Sequence, residues 1–179
     1  MNKSILGLAM SALFAFGAAQ AATNDISSTL DVSGTVTNSD TGCTVILNNN
    51  TVDISGDITT LATQGAPATP TKLVNMTITG SSVCTDLAEQ NRIVYKLVGT
   101  ADDADGNVLA NSFTGEGAAS GVGIGLYDQE GNVVAINSGA IAVHTALSTP
   151  LGLALVKLTG QEQVSGTVQG SLTIQIERL

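Results

Sequence analysis

The chain has 179 residues, 43% hydrophobic but only 3% aromatic, with 15 acidic against 6 basic side chains and a formal net charge of −9. That balance excludes a nucleic-acid surface, which needs clustered Lys and Arg. Beyond residue 21 the aromatic residues are Tyr95, Tyr127 and Phe113, so any core must be built from Val, Ile, Leu and Ala.

Lys3 precedes an apolar run over residues 5–16, and Ala19-Gln20-Ala21 places small residues at the two positions a signal peptidase inspects. This predicts a secretory signal over residues 1–21; the run is too short for the roughly 20 apolar residues of a membrane span. Its removal leaves residues 22–179, one domain's worth of chain. Lys3 leaves with it, so 5 basic residues face 15 acidic ones and the charge falls to −10. The carboxylates are scattered through turns, a solubility device more than a binding tail.

Residues 26–36 alternate with strand period. Ile26, Ser28, Leu30, Val32, Gly34 and Val36 fall on one face, and Ser27, Thr29, Asp31, Ser33 and Thr35 on the other. Such a strand needs a sheet, its own molecule's or a neighbour's, and the choice decides the function. Cys43 and Cys84, an even pair in an exported chain, predict one disulfide. With His144 as the only histidine, a two-thiol metal site lacks further ligands.

A turn over residues 38–42 leads into a strand from Cys43 to Leu47, interrupted by Asn48-Asn49-Asn50 and resumed at Thr51-Val52-Asp53-Ile54. Residues 61–70, with Gly65, Pro67 and Pro70, read as a loop, with one helical turn before it. Residues 73–78 form a strand towards Cys84. Both cysteines then stand near strand ends, and the bridge ties the first body strand to the second. A short helical turn fits residues 86–91, and Ile93, Tyr95 and Leu97 alternate as the next strand.

Asp102-Asp103-Ala104-Asp105-Gly106-Asn107 resembles a calcium loop but fails as an EF-hand. With Gly106 at the turn position, Ala101 falls at the first ligand and Ser112 at the twelfth, where a bidentate Glu is required. It reads as an acidic turn. The glycines over residues 115–125 are no phosphate loop, because the P-loop Lys and hydroxyl pair is missing and no helix pattern follows. Glycine alternating with Val122, Ile124 and Leu126 fits a strand closely approached by another segment. Residues 129–132 form a tight turn, and residues 133–136 and 141–145 are extended. Pro150 opens a run apolar on both faces up to Lys157. After a turn over residues 160–163, residues 164–179 read as a long final strand with Leu172, Ile174 and Ile176 on one face.

Short strands, frequent turns and no sustained helical period make the fold all-β, a sandwich. No acid, base or nucleophile stands in a catalytic setting. His144 lies in a strand-like stretch without partners, a Gly-x-Ser-x-Gly elbow is missing, and the thiols are spent on each other. The expectation is a non-enzyme with no cofactor and no metal.

The order and spacing of these motifs resemble the chaperone-usher pilins, in particular the single-domain major subunits of type 1-like fimbriae. The resemblance is carried by the signal and by Leu30-Asp31-Val32-Ser33-Gly34-Thr35-Val36 with a cysteine soon after. Thr51-Val52-Asp53-Ile54 and Val74-Asn75-Met76-Thr77-Ile78 before the second cysteine add to it. So do Gly99-Thr100-Ala101, Asn107-Val108-Leu109-Ala110 and Gly121-Val122-Gly123-Ile124 with Asp128 and Gly131.

The resemblance implies an incomplete immunoglobulin-like sandwich over residues 37–179 that lacks its final strand. Residues 22–36 would be a donor-strand extension completing the neighbouring subunit. Ile26, Leu30, Val32, Gly34 and Val36 then become the donor positions, and Leu172, Ile174 and Ile176 the groove lining. The implied partners are neighbouring pilins in a head-to-tail homopolymer, a periplasmic chaperone and an outer-membrane usher. The implied destination, reached through the periplasm, is a cell-surface fimbrium supporting adhesion. Family members commonly carry an aromatic residue next to last, where this chain has Arg178. The rivals are a minor or adaptor pilin, and a self-contained periplasmic β-sandwich binding protein whose N-terminal strand lies in its own sheet.

Overall fold

The computed structural model describes residues 25–33 by their backbone, and residues 42–143 and 148–179. The predicted signal, Gly34, Val36 and His144 lie outside the described residues. The strands in chain order are β1 (Asp25–Ser33), β2 (Cys43–Leu47), β3 (Thr51–Asp57), β4 (Ala62–Thr63) and β5 (Lys72–Gly80). After the helix α1 (Ser82–Glu89) come β6 (Ile93–Gly99), β7 (Val122–Tyr127), β8 (Ala140–Ala142), β9 (Thr149–Lys157) and β10 (Val168–Arg178).

They form two sheets. One has the order β3-β1-β10-β6-β8; the other has β2-β5-β9-β4, with β7 also paired to β9. Alternation decides which side chains meet between the sheets. Val52 and Ile54 of β3, Tyr95 and Leu97 of β6, and Leu172 and Ile174 of β10 are buried against Val74 and Met76 of β5, Ile124 and Leu126 of β7 and Leu151, Leu153 and Leu155 of β9.

β9 is apolar on both faces for a visible reason. Its outer-facing Ala154 and Val156 are covered by Val108, Tyr127 and Leu158 in a second, smaller core. The strand glycines make room there, since a Cβ on Gly123 would stand 2.8 Å from Val108 Cγ2 and 3.0 Å from the Leu109 carbonyl oxygen.

Two local readings change. Helix α1 begins four residues before the predicted turn, so Cys84 sits in its first turns and the Cys43–Cys84 bridge (Cα–Cα 5.4 Å) joins β2 to a helix. A strand pattern does not show that the chain leaves the sheet at Gly80, whose φ of +159° and neighbouring Gly42 carbonyl exclude a side chain. The final strand starts at Val168, because residue 164 makes only an isolated bridge to Ser120.

The acidic turn is held by one buried carboxylate. Asp102 accepts from the amides of Ala104 (2.9 Å), Asp105 (3.0 Å) and Val108 (3.1 Å). Burial opposes its charge, but the hydrogen bonds, from Gln64 and from the loop amides, outweigh that and hold its pKa below the ordinary value.

Candidate functional site

One strand of the first sheet, β1, joins neighbours from opposite ends of the chain. β1 lies between β3 and β10, antiparallel to β3 with Ile26 opposite Gly56, Ser28 opposite Ile54 and Leu30 opposite Val52. It is parallel to β10, with Ser28 opposite Val168, Leu30 opposite Gly170 and Val32 opposite Leu172. Among the described residues β3 has no other strand partner in that sheet, so β1 alone joins it to β10. Without β1, two rows of backbone N–H and C=O groups face each other unpaired.

The walls of this groove are apolar on the core side. Val52 and Ile54 project inward from β3, and Val168, Leu172 and Ile174 from β10; all are buried. Gly170 stands between Val168 and Leu172 and offers no side chain at the position paired with Leu30. The alternation of residues 26–32 therefore matches the walls: positions 26, 28, 30 and 32 are register partners of core-facing positions.

Of the predicted groove positions, only Leu172 lies in the stretch that β1 covers. Ile174 is opposite Leu97 and the half-buried Ile176 opposite Tyr95, both across the β6 side. Of the predicted donor positions, Ile26, Leu30 and Val32 are in β1. The sequence reading passed over Val52, Ile54, Val168 and Gly170 as groove residues. Each stood in a recognised strand, but which strands face across the gap is a matter of topology.

No titratable side chain stands on the core-facing wall positions of the groove. At its rim the Asp57 carboxylate accepts from the Thr59 amide (2.8 Å) and hydroxyl (2.7 Å), which lower its pKa and close the turn after β3. On the outer side, Lys96 meets Glu177 at 2.9 Å across β6 and β10, an exposed pair of small energetic weight. Among the described residues no group of three or more His, Cys, Asp or Glu is placed to hold a metal ion, and no helix is long and apolar enough to cross a membrane. What the arrangement shows is a slot that holds one extended strand.

A family model described as "Fimbrial protein" matches residues 30–177. No curated protein matches the chain.

Proposed function

Because the chain belongs to the fimbrial protein family, it is a structural pilus subunit and not an enzyme, and we propose that it polymerises by donor-strand exchange. In this reading residues 22–36 of one subunit enter the β3–β10 groove of the next. The contact is heterologous and does not close on itself, so it propagates a head-to-tail homopolymer. A periplasmic chaperone fills the groove in transit, an outer-membrane usher exchanges that strand for the next subunit's extension, and the finished fimbrium supports adhesion at the cell surface.

The observation that carries this reading is that, among the described residues, β3 and β10 are bridged only by a strand from the N-terminus, joined to the body by nine intervening residues. A strand so attached is separable from the sandwich it completes. Burying Ile26, Leu30, Val32 and Val36 is worth about 1.5–3 kcal/mol each, roughly 6–12 kcal/mol gross. A whole domain is stable by about 5–15 kcal/mol, so the strand amounts to much of the body's stability.

The rival self-contained sandwich is favoured by one observation, the pairing of β1 within its own chain. The test is the denaturant midpoint of residues 37–179, disulfide intact, with and without a peptide of residues 22–38. Donor-strand exchange requires a large rise with the peptide and none when Leu30 and Val32 are replaced by Ser. A body stable alone and indifferent to the peptide would establish the rival.

A further inference from the structure

Across the first sheet from the groove, β8 forms the opposite edge, separated from β1 by β10 and β6. Beside it, towards the turn that follows β7, is a cavity of about 480 Å³. Val134 and Ile141 are its larger apolar walls; Asp128, Glu130 and Ser138 line it too, as does Thr149 at the start of β9. The Asp128 carboxylate builds the rim, accepting from the amides of Glu130 (3.0 Å) and Asn132 (2.8 Å) and from Asn132 Nδ2 (2.9 Å). Gly131 turns the chain there with a φ of +82°, which fixes where the exposed Glu130 stands.

Thr149 shares the inward alternation of Leu151 and Leu153 and is 5% exposed, yet its Oγ1 has no hydrogen-bond partner among the described residues. A buried hydroxyl left unpaired is unfavourable, and a molecule in the cavity that pairs with it removes that penalty. Among the described residues the lining holds no Lys, Arg, His or aromatic side chain, and neither lining carboxylate is in an ion pair. An anion would meet uncompensated negative charge. A quaternary ammonium would lack the aromatic cage it favours, and two carboxylates with one already engaged in its turn are too few for a metal ion. A primary ammonium, which donates hydrogen bonds, suits such a rim.

We propose that this cavity binds a small hydroxylated amine, whose ammonium meets the Asp128 and Glu130 carboxylates and whose hydroxyl pairs with Thr149. Its volume is in the range of small-molecule sites. The cavity shares no residue with the groove walls, so a strand in the groove and a ligand in the cavity do not compete. In a filament every subunit repeats the site, and weak single binding gains by multivalency.

The probe is D-glucosamine, added to the isotope-labelled full chain at about pH 6, where an amine of this kind is protonated, with N-acetyl-D-glucosamine as the uncharged comparison. Saturable amide shifts are expected over residues 128–142 and at Thr149, with the acetylated sugar about tenfold weaker or more. Thr149→Val keeps the shape and deletes an unpaired hydroxyl, so its urea midpoint should hold or rise while glucosamine binds about tenfold more weakly. Glu130→Gln changes an exposed side chain and should flatten the salt dependence of binding.

Shifts that do not saturate or that centre elsewhere would overturn the site. Equal binding of the acetylated sugar would overturn the role of the carboxylates, and undiminished binding by a folded Thr149→Val chain would overturn that of the hydroxyl; either result removes the proposed ligand class. None of these outcomes bears on donor-strand exchange, which is tested at the groove.

Discussion

Asn111 and Tyr95 are the two extremes of polar burial in this chain. Asn111 uses its whole amide: Nδ2 donates to the carbonyls of Ala119 (2.9 Å) and Thr167 (3.0 Å), and Oδ1 accepts from the amides of Phe113 (3.0 Å) and Gln169 (2.9 Å). One side chain thereby replaces a strand ladder where the loop passes β10. The Tyr95 hydroxyl, fully buried, has no hydrogen-bond partner among the described residues. A buried, unpaired hydroxyl costs about 1–3 kcal/mol, so Tyr95→Phe is expected to stabilise the fold by about 1 kcal/mol in urea denaturation. Burial also pushes the Tyr95 pKa from 10.0 up to about 12. The unfolded chain loses this proton first, so the stability the group contributes is complete below pH 10 and is lost as pH rises towards 12. The alkaline loss should be smaller in Tyr95→Phe, measured as the urea midpoint between pH 9 and pH 12; equal losses would mean that Tyr95 does not titrate this way.

At the scale of elements, β2 is the edge strand that the disulfide fastens. It has five residues and, among the described residues, β5 as its only strand partner, and the bridge from its first residue to Cys84 pins it to α1. The sequence separation of 41 corresponds to about 4 kcal/mol on the chain-entropy model. Replacing both cysteines by Ser should lower stability by about that amount, with hydrogen exchange accelerating first in β2. Uniform acceleration throughout the sheet would contradict a local role. The cysteine pairing was legible from count and compartment, and β2, β3, β6, β7 and β9 from alternation or continuous apolar runs bounded by Gly, Pro and Asn. Helix α1 was only half legible. Its Ser82-Val83-Cys84-Thr85 start carries no capping hydrogen bond from Ser81 and reads equally well as the end of a strand. The two-residue β4 has no pattern at all; it exists because residues 57–61 turn the chain back beside the end of β9.

For the whole molecule, the proposed exchange means that the nine residues of β1, which lie in their own chain's sheet, would in a second subunit join two. Joined subunits should persist as SDS-resistant ladders without boiling, and Leu30→Ser/Val32→Ser should abolish the ladder while leaving the Cys43–Cys84 bridge formed. Ladders that survive the substitutions would place the joint elsewhere on the surface. The sequence by itself determined the all-β class, the pairing of the cysteines and the strand character of the N-terminal segment, because period-two burial and turn residues are local properties. Only the tertiary structure decided that β3 faces β10 across a one-strand gap, that Gly170 stands opposite Leu30, and that the chain's own extension fills the gap in the parallel sense. Those facts depend on which strands meet, and that is not written in any short stretch of the chain.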